Sequence, residues 1–394
     1  MTGTCTAELI LDAGIALLAE AGPRAATVRS VAERAGVPPP TLQHHFPTKM
    51  LLLRGIYGRA IARHVQMSED GLARFADLTE RPELICEIAI ALLGEWRGRA
   101  GEATAVVLHM LAQAVRDPAW TDLARDWAGR SIACMAHTLN CGDNRAEFLI
   151  ELLAGLALTS APKGFRLESD ILNRELINFV CDTRHRQTRG QWRRLFRSQI
   201  ATSLAASSST DDLSASRMVV RAALDAGITI MAEAGAEALS YRAIATRAGV
   251  ALSSVLYNFP THGALAMAVY NEIHRRFAMQ TTGQQLPVTN LDEQIVALFT
   301  PMIVDDKAGN APLVLASCEL FLTAWWDSEL TEQAWTMRLA RGTRGENEGD
   351  FTAHFLSLWS IGLSLVQLAR HHADPRAEVA NRLRAGLICS GFAT

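Results

Sequence analysis

The sequence predicts an all-α protein whose basic plan occurs twice. Two observations carry that prediction. Apolar residues recur at helical spacing through most of the chain, with no strand-like alternation. A stretch near the start also returns far downstream: LDAGIALLAEAG at 11–22 reappears as LDAGITIMAEAG at 224–235, and RSVAERAGV at 29–37 as RAIATRAGV at 242–250. HHFPT at 44–48 becomes YNFPT at 257–261. The offset is 213 without a gap, and half of the positions from Leu11 to Thr48 are identical to their partners. Such self-similarity points to a tandem duplication of a unit about 200 residues long.

Each copy reads as three short helices. Leu11, Ile15, Leu18 and Ala19 form a helical stripe that Gly22 ends. Thr27, or Ser240 in the second copy, supplies an N-cap for the next helix. That helix turns Val31 and Ala35 (Ile244 and Ala248) inward, and Gly36 (Gly249) suits a left-handed C′ position. Helix, glycine turn and helix make a helix-turn-helix, whose second helix enters the DNA major groove. In AGVPPPTLQHHFPTK the prolines set where that second helix begins. A residue before proline is pushed out of the helical region, so Val37, Pro38 and Pro39 precede the helix or open it. It starts at Pro39 or Pro40 and runs to about Phe46, with Leu42 inward and Thr41, Gln43, His44 and His45 outward. Adjacent histidines project to different sides of a helix and no third ligand is near, which argues against a metal site.

These residues resemble a known family. TVRSVAERAGVPPPTLQHHFPTKMLLL and SYRAIATRAGVALSSVLYNFPTHGALAM are both similar to the helix-turn-helix of the TetR family of bacterial transcriptional regulators. The resemblance covers about 50 residues in each copy. It implies an all-α fold of two TetR-like units, each a three-helix DNA-binding domain followed by a helical ligand-binding and dimerisation domain. The expected divisions are 1–60, 61–185, a linker helix and tether at 186–216, 217–272 and 273–394. In the first copy, Gln43 stands where the family has a phosphate-binding Tyr, Lys49 at its phosphate-binding Lys, and Pro38 replaces its Ser cap. The expected DNA contacts are Thr27, Arg29, Pro39, Thr41, Gln43, His44, His45 and Lys49. In the second copy they are Ser240, Arg242, Ser253, Ser254, Tyr257, Asn258 and His262. The second copy departs further, with Leu256 for Tyr and His262 for Lys, and loss of DNA binding there stays open. Seven Lys/Arg face one acid between Arg24 and Gln66, against four and two between Glu237 and Met279.

The remainder reads as helices at Pro82–Arg99, Glu102–Val115, Pro118–Leu139, Arg145–Ser160 and Ser169–Thr183. After the second motif come Leu291–Val304, Pro312–Asp327, Glu329–Arg341, Gly349–His372 and Pro375–Gly391. The last two helices of each unit are expected to form a shared four-helix bundle. Between the units, Gln191–Ala206 reads as an amphipathic helix with Trp192, Leu195, Phe196, Ile200 and Leu204 inward and Arg193, Arg194 and Arg197 in water. The tether Ser207–Ser216 follows. A DNA-contacting linker is the sharper reading of this basic segment.

The family implies an effector pocket. Candidates on the central helices are Trp96, His109, Met110, Gln113 and Trp127 in the first unit, and Cys318, Phe321, Trp325, His354 and Trp359 in the second. Aromatics at helical spacing are as readily core. Ser357, Ser360, Ser364 and Gln367 make a polar seam that close helix packing explains as well as ligand contact does.

Bulk composition agrees with a soluble globular chain: 394 residues, 49% hydrophobic, 20% charged and net charge −3. Lysine occurs only at 49, 163 and 307. Seven cysteines without a CxxC suggest free thiols and a cytoplasmic setting. The start has no signal-peptide pattern, and the apolar run Phe351–Ala369 is too often interrupted by polar residues to favour a membrane span. No nucleophile elbow, P-loop, HExxH or dinucleotide fingerprint occurs, so neither catalytic residues nor a cofactor are expected. The leading expectation is a ligand-responsive regulator, a repressor, that binds double-stranded operator DNA with an imperfect palindrome and carries both heads in one chain. Pairing of two such chains stays open. The alternative is a small-molecule-binding or protein-interaction module in which one or both heads no longer read DNA.

Overall fold

The computed structural model describes residues 5–75, 84–160, 163–181, 190–205, 215–281, 291–304, 310–342 and 351–392. The described residues are helical with no strand. The first half contains α1 (Thr6–Ala21), α2 (Val28–Arg34), α3 (Pro39–His45), α4 (Lys49–Ala73), α5 (Ile85–Arg97), α6 (Gly101–Arg116), α7 (Thr121–Thr138), α8 (Asp143–Thr159) and α9 (Arg166–Cys181). The connector is α10 (Gln191–Ala205). The second half contains α11 (Ala215–Ala234), α12 (Tyr241–Ala248), α13 (Leu252–Asn258), α14 (His262–Thr281), α15 (Leu291–Val304), α16 (Asn310–Thr323), α17 (Thr331–Ala340), α18 (Phe351–Leu368) and α19 (Pro375–Cys389). The expected helices at 82–99, 169–183 and 349–372 reach into residues outside the described set, as does most of the tether 207–216.

Several expected ends shift for local reasons. Pro118–Trp120 and Ser328–Leu330 are single 3-10 turns, because the Asp117 and Asp327 carboxylates accept from the backbone N–H two residues on. The expected helix Pro312–Asp327 stops at Thr323 before that second turn. α4 runs unbroken past residue 60, and α14 past residue 272, so one rigid helix joins each head to its helical core.

Chain halves meet where α8 crosses α18. A Cβ on Gly362 would stand 1.8 Å from the Glu151 carbonyl oxygen, and one on Gly155 would stand 2.3 Å from that of Leu358. The backbones touch, and only glycine permits it. Around the crossing, the buried Glu151 carboxylate accepts from Arg382 Nε at 3.1 Å, Gln367 Nε2 at 2.8 Å and Trp359 Nε1 at 3.1 Å. Burial pushes the Glu151 carboxyl above its usual range, while Arg382 opposes that shift. Of the polar seam, Ser360 and Ser364 donate to carbonyls of their own helix, and Gln367 reaches Glu147 and Glu151 across the crossing. α19 packs against α8, α15 and α18, and Phe179 of α9 joins them through the rings of Phe351, Phe355 and Phe392. Phe351–Leu368 is the one helix among the described residues long and apolar enough to cross a membrane, and 72% of it is buried inside the protein.

The connector corrects the amphipathic reading. Arg193 is buried with Phe196, whereas Trp192 and Leu195 are each nearly half exposed. α10 lies against α9 and α17, and its start is fixed by Glu175, whose carboxylate accepts from the N–H groups of Gly190 and Gln191. That anchor rotates Arg193 inward, where it donates to the Arg341 carbonyl at 2.8 Å. The side chains of Ile200 and Leu204 lie outside the described set.

Gly362→Ala should therefore lower the unfolding free energy by about 1–3 kcal/mol or more, since a methyl group must be forced into backbone. Gly94→Ala, where an added Cβ meets nothing within 4 Å, should be neutral or slightly stabilising. Urea denaturation of both variants beside the parent gives the comparison.

Candidate nucleic-acid interface

The two heads share their local geometry at positions 213 apart. Thr27 caps α2 by accepting from Ser30 N–H, and Ser240 caps α12 by accepting from Ala243 N–H. Gly36 and Gly249 both take φ +66 and open the turn into the next helix. Arg34 forks onto Glu20, and Arg247 onto Glu233, each bracing the second helix against the first. Gly14 lies against Ile56, and Gly227 against Val269, which lets the first helix approach α4 or α14 closely.

α3 starts at Pro39, with Pro38 extended ahead of it, and ends at His45. Leu42 is fully buried, and Gln43, His44 and His45 are exposed beside Lys49, the first residue of α4. Thr41 is half-buried, and Arg29 and Pro39 are exposed. On α13, Val255 takes the buried position, while Ser253 and Tyr257 are exposed, Tyr257 at 83%. Arg242 is exposed and Ser254 half-buried. Several expected contacts are already engaged within the chain. The hydroxyls of Thr27 and Ser240 serve as caps. The Asn258 amide donates to the Ser254 carbonyl at 2.8 Å, and His262 Nε2 donates to the Leu239 carbonyl at 2.9 Å.

Of the seven cations counted around the first head, Arg34, Arg54, Arg59 and Arg63 pair with Glu20, Asp122 and Asp12. Arg24, Arg29 and Lys49 make no ion pair among the described residues. In the second head Arg247, Arg275 and Arg276 are paired, leaving Arg242. Among the described residues the first head thus has three cations outside ion pairs and the second has one.

Sequence reading missed how the heads attach. The Arg24 N–H donates to Glu237 Oε1 at 2.9 Å, joining matching positions of the two heads. Burial raises the Glu237 carboxyl, and the charges of Arg24 and Lys49 act against that. Arg116 of α6 donates to the Met231 and Ala232 carbonyls at the end of α11, and to Glu319 of α16 at 2.6 Å. Glu319 in turn accepts from Ala236 N–H. At the first head, the Trp326 indole lies against Gly22 at the end of α1 and 6.5 Å from the His109 ring. Partners some 200 residues apart leave no local trace in a sequence.

Most of the expected effector residues are buried, with Gln113 and Trp325 half-buried. Trp96 donates to Ser68 and lies tilted beside His64, with ring centroids 4.5 Å apart. Trp127 donates to His64 Nδ1, His109 Nδ1 is 3.0 Å from Tyr57 Oη, and Gln113 lies beside His109 Nε2. Met110 is fully buried. In the second half Phe321 and Cys318 are buried, Trp325 is half-buried, Trp359 bonds Glu151, and His354 bonds the Arg341 carbonyl. Burial pushes the Cys318 thiol up to about 12. A groove of about 550 Å³ between α9 and α10 is lined by Asp170, Ile171, Arg174, Glu175, Gln191 and Trp192. A smaller cavity of about 70 Å³ lies between α4 and α5, beside Leu72, Phe75, Ile88 and Leu92. Neither is lined by an expected effector residue. No group of His, Cys, Asp and Glu among the described residues could hold a metal ion.

Residues 10–56, which span α1 to the first part of α4, match the family of bacterial regulatory proteins, tetR family. No curated protein matches the chain. Among solved structures, a candidate transcriptional regulator, SCO7518 from Streptomyces coelicolor A3(2), is 26% identical. The match covers 45% of this chain and 98% of that one, with a TM-score of 0.37. The family match supports a DNA-binding regulator of the TetR type.

Burial lowers the folded-state pKa of His64 to about 3 and that of His109 to about 4, from an ordinary 6.5. Below 6.5 the unfolded chain therefore binds protons that the folded chain refuses. Stability should fall on acidification through that window, by about 1.4 kcal/mol per pH unit for each histidine. His64→Gln removes one such contribution, so its urea stability should depend less steeply on pH between about 6 and 4 than the parent's does.

Proposed function

We propose that this chain is a TetR-type transcriptional regulator in which a tandem duplication sets both DNA-reading heads in one polypeptide. One observation carries the reading: two helix-turn-helix units, 213 residues apart, share caps, glycine turns, buried anchors and Arg–Glu braces. Each presents a short helix with polar residues on its outer side, on α13 beside the exposed Leu252 and Leu256. The heads occupy matching ends of helices that continue into a joint core. Such a chain serves as its own dimer, reads two half-sites, and works in the cytoplasm. Release from DNA by a small, largely apolar ligand fits the family resemblance. The proposed DNA contacts are Arg29, Gln43, His44, His45 and Lys49 in the first head, and Arg242, Ser253 and Tyr257 in the second.

Because α3 presents Thr41-Leu42-Gln43-His44-His45 and α13 presents Ser254-Val255-Leu256-Tyr257-Asn258, the two half-sites should differ. Selection from random DNA should return an imperfect palindrome, with one chain per site by mass measurement. A perfectly symmetric consensus, or protection of a single groove per chain, would contradict two diverged working heads.

Lys49→Ala should weaken binding to every sequence and reduce the slope of log affinity against log salt by about 1. His262→Ala should change that slope little at pH 8, since its Nε2 is held on a backbone carbonyl. Gel shifts across a salt series, with DNA from upstream of the gene, measure both effects. A wild-type protein that retards no such DNA would favour a binding module that has lost its reading heads.

A further inference from the structure

The repeat gives a residue of one half a counterpart in the other. Where counterparts meet each other, the contact lies on the axis that relates the halves. Two such places are present. At the helix crossing, Gly155 and Gly362 each lie on the carbonyl oxygen four residues before the other glycine, a reciprocal contact. Between the heads, Arg24 meets Glu237, and these are the same position of the two copies, 213 residues apart. The axis thus runs from the crossing in the core to the gap between the reading heads.

At the outer point the copies differ in a way that lets them touch. The Glu237 carboxylate accepts from the Arg24 N–H at 2.9 Å, and the charges of Arg24 and Lys49 favour that carboxylate. Identical residues could not do this. Two arginines offer no side-chain acceptor, and two glutamates would set like charges face to face. Glu237 is also a fixed post rather than a loose surface side chain. It is half-buried on the 3-10 turn Ala236–Ala238, and the neighbouring Ala236 N–H donates to Glu319 Oε2 of α16 at 2.8 Å. Arg24 follows closely on Gly22, which Trp326 covers. Both sides of the contact are therefore seated on the core.

Reading two half-sites requires α3 and α13 to keep a set separation. Successive major grooves lie about 34 Å apart, and one added base pair moves the second groove by about 3.4 Å and turns it around the duplex. Arg24 and Glu237 stand in the turns that lead from α1 into α2 and from α11 into α12. A bond there, on the axis, opposes sliding or twisting of one head against the other.

We infer that Glu237 is a positioning residue: by accepting from the Arg24 N–H it fixes the separation of the two reading heads, and with it the half-site spacing that the chain accepts. This rests on the reading of the chain as a two-headed regulator and adds what sets the geometry of its operator. The bond matters here more than the charge. By the axis, a carboxylate at position 24 accepting from the N–H of position 237 is the mirror of the bond observed, so exchanging the two residues should preserve the separation.

The test uses the full chain and two readouts. Spin labels on non-canonical residues in place of Gln43 and Leu256, matching places on α3 and α13, report the head separation and leave the seven cysteines alone. Unlabelled protein is offered the DNA selected from the random pool, its spacer lengthened and shortened by one and two base pairs. The parent should give a narrow distance distribution and prefer one spacer by about tenfold or more. Glu237→Gln, whose amide oxygen can still accept, should keep both properties. Glu237→Ala should broaden the distances and cut the spacer preference to about threefold or less. Glu237→Arg should do the same, and adding Arg24→Glu to it should restore both. One surface bond contributes little to stability, so thermal unfolding should hardly move; should Glu237→Ala fail to fold, Glu237→Arg and its rescue decide. Unchanged distances or an unchanged spacer preference in a folded Glu237→Ala protein overturns the inference, as does a Glu237→Gln protein that behaves like Glu237→Ala. Protein that binds DNA with a spacing indifferent to Glu237 refutes this role only. Protein whose head separation depends on Glu237 but that selects no DNA keeps the positioning contact and refutes the regulator.

Discussion

The contact on which the rest depends is backbone against backbone, where Gly155 of α8 crosses Gly362 of α18. No side chain intervenes, so the distance between the halves there is set by peptide geometry rather than by adjustable packing. This closeness brings Glu151 within reach of Gln367, Trp359 and Arg382 from the opposite half. A buried carboxylate satisfied by three donors is directional in a way that apolar packing is not. The glycines fix how near the helices come, and the carboxylate network fixes their rotation and register.

From that crossing, order extends to the heads through α6 and α16. Arg116 and Glu319 meet across the halves and together hold the end of α11. On the other side Trp326 covers Gly22 and faces His109. One head is held by an ion pair with little exposure to water, the other by an aromatic contact. The attachments are related in position and unlike in chemistry, which ties each head differently to the core it shares.

Much of this was legible in the residues. The glycine at 36 and 249, the caps at Thr27 and Ser240, and the start of α3 at Pro39 follow from local rules, because each depends on neighbours a few positions away. The inward set at Leu42 and Val255 follows from helical spacing. What was not legible depended on distance. Glu175 lies about fifteen residues before the connector it anchors, and its hold on Gly190 turned Arg193 inward against the amphipathic expectation. Charge counting marks the first head as the more basic but could not see that Arg34, Arg54, Arg59 and Arg63 were already paired. His262 and Asn258 looked available because their carbonyl partners carry no signature in side-chain chemistry. Trp96, Trp127 and Trp359 are enclosed in the interior, and the buried Arg338 and Arg341 drew no notice because arginine is so common on helix surfaces.

The seat of Trp326 has an optical consequence. Its indole is only partly buried, borders an imidazole, and lies against Gly22 at the end of α1, while Trp96, Trp127, Trp335 and Trp359 are sealed in the interior. Indole emission is sensitive to polarity and to nearby quenching groups. The protein therefore carries an intrinsic gauge at the joint between head and core: a tilt of α1 would alter the emission of that ring first, and leave the interior four as a steady background.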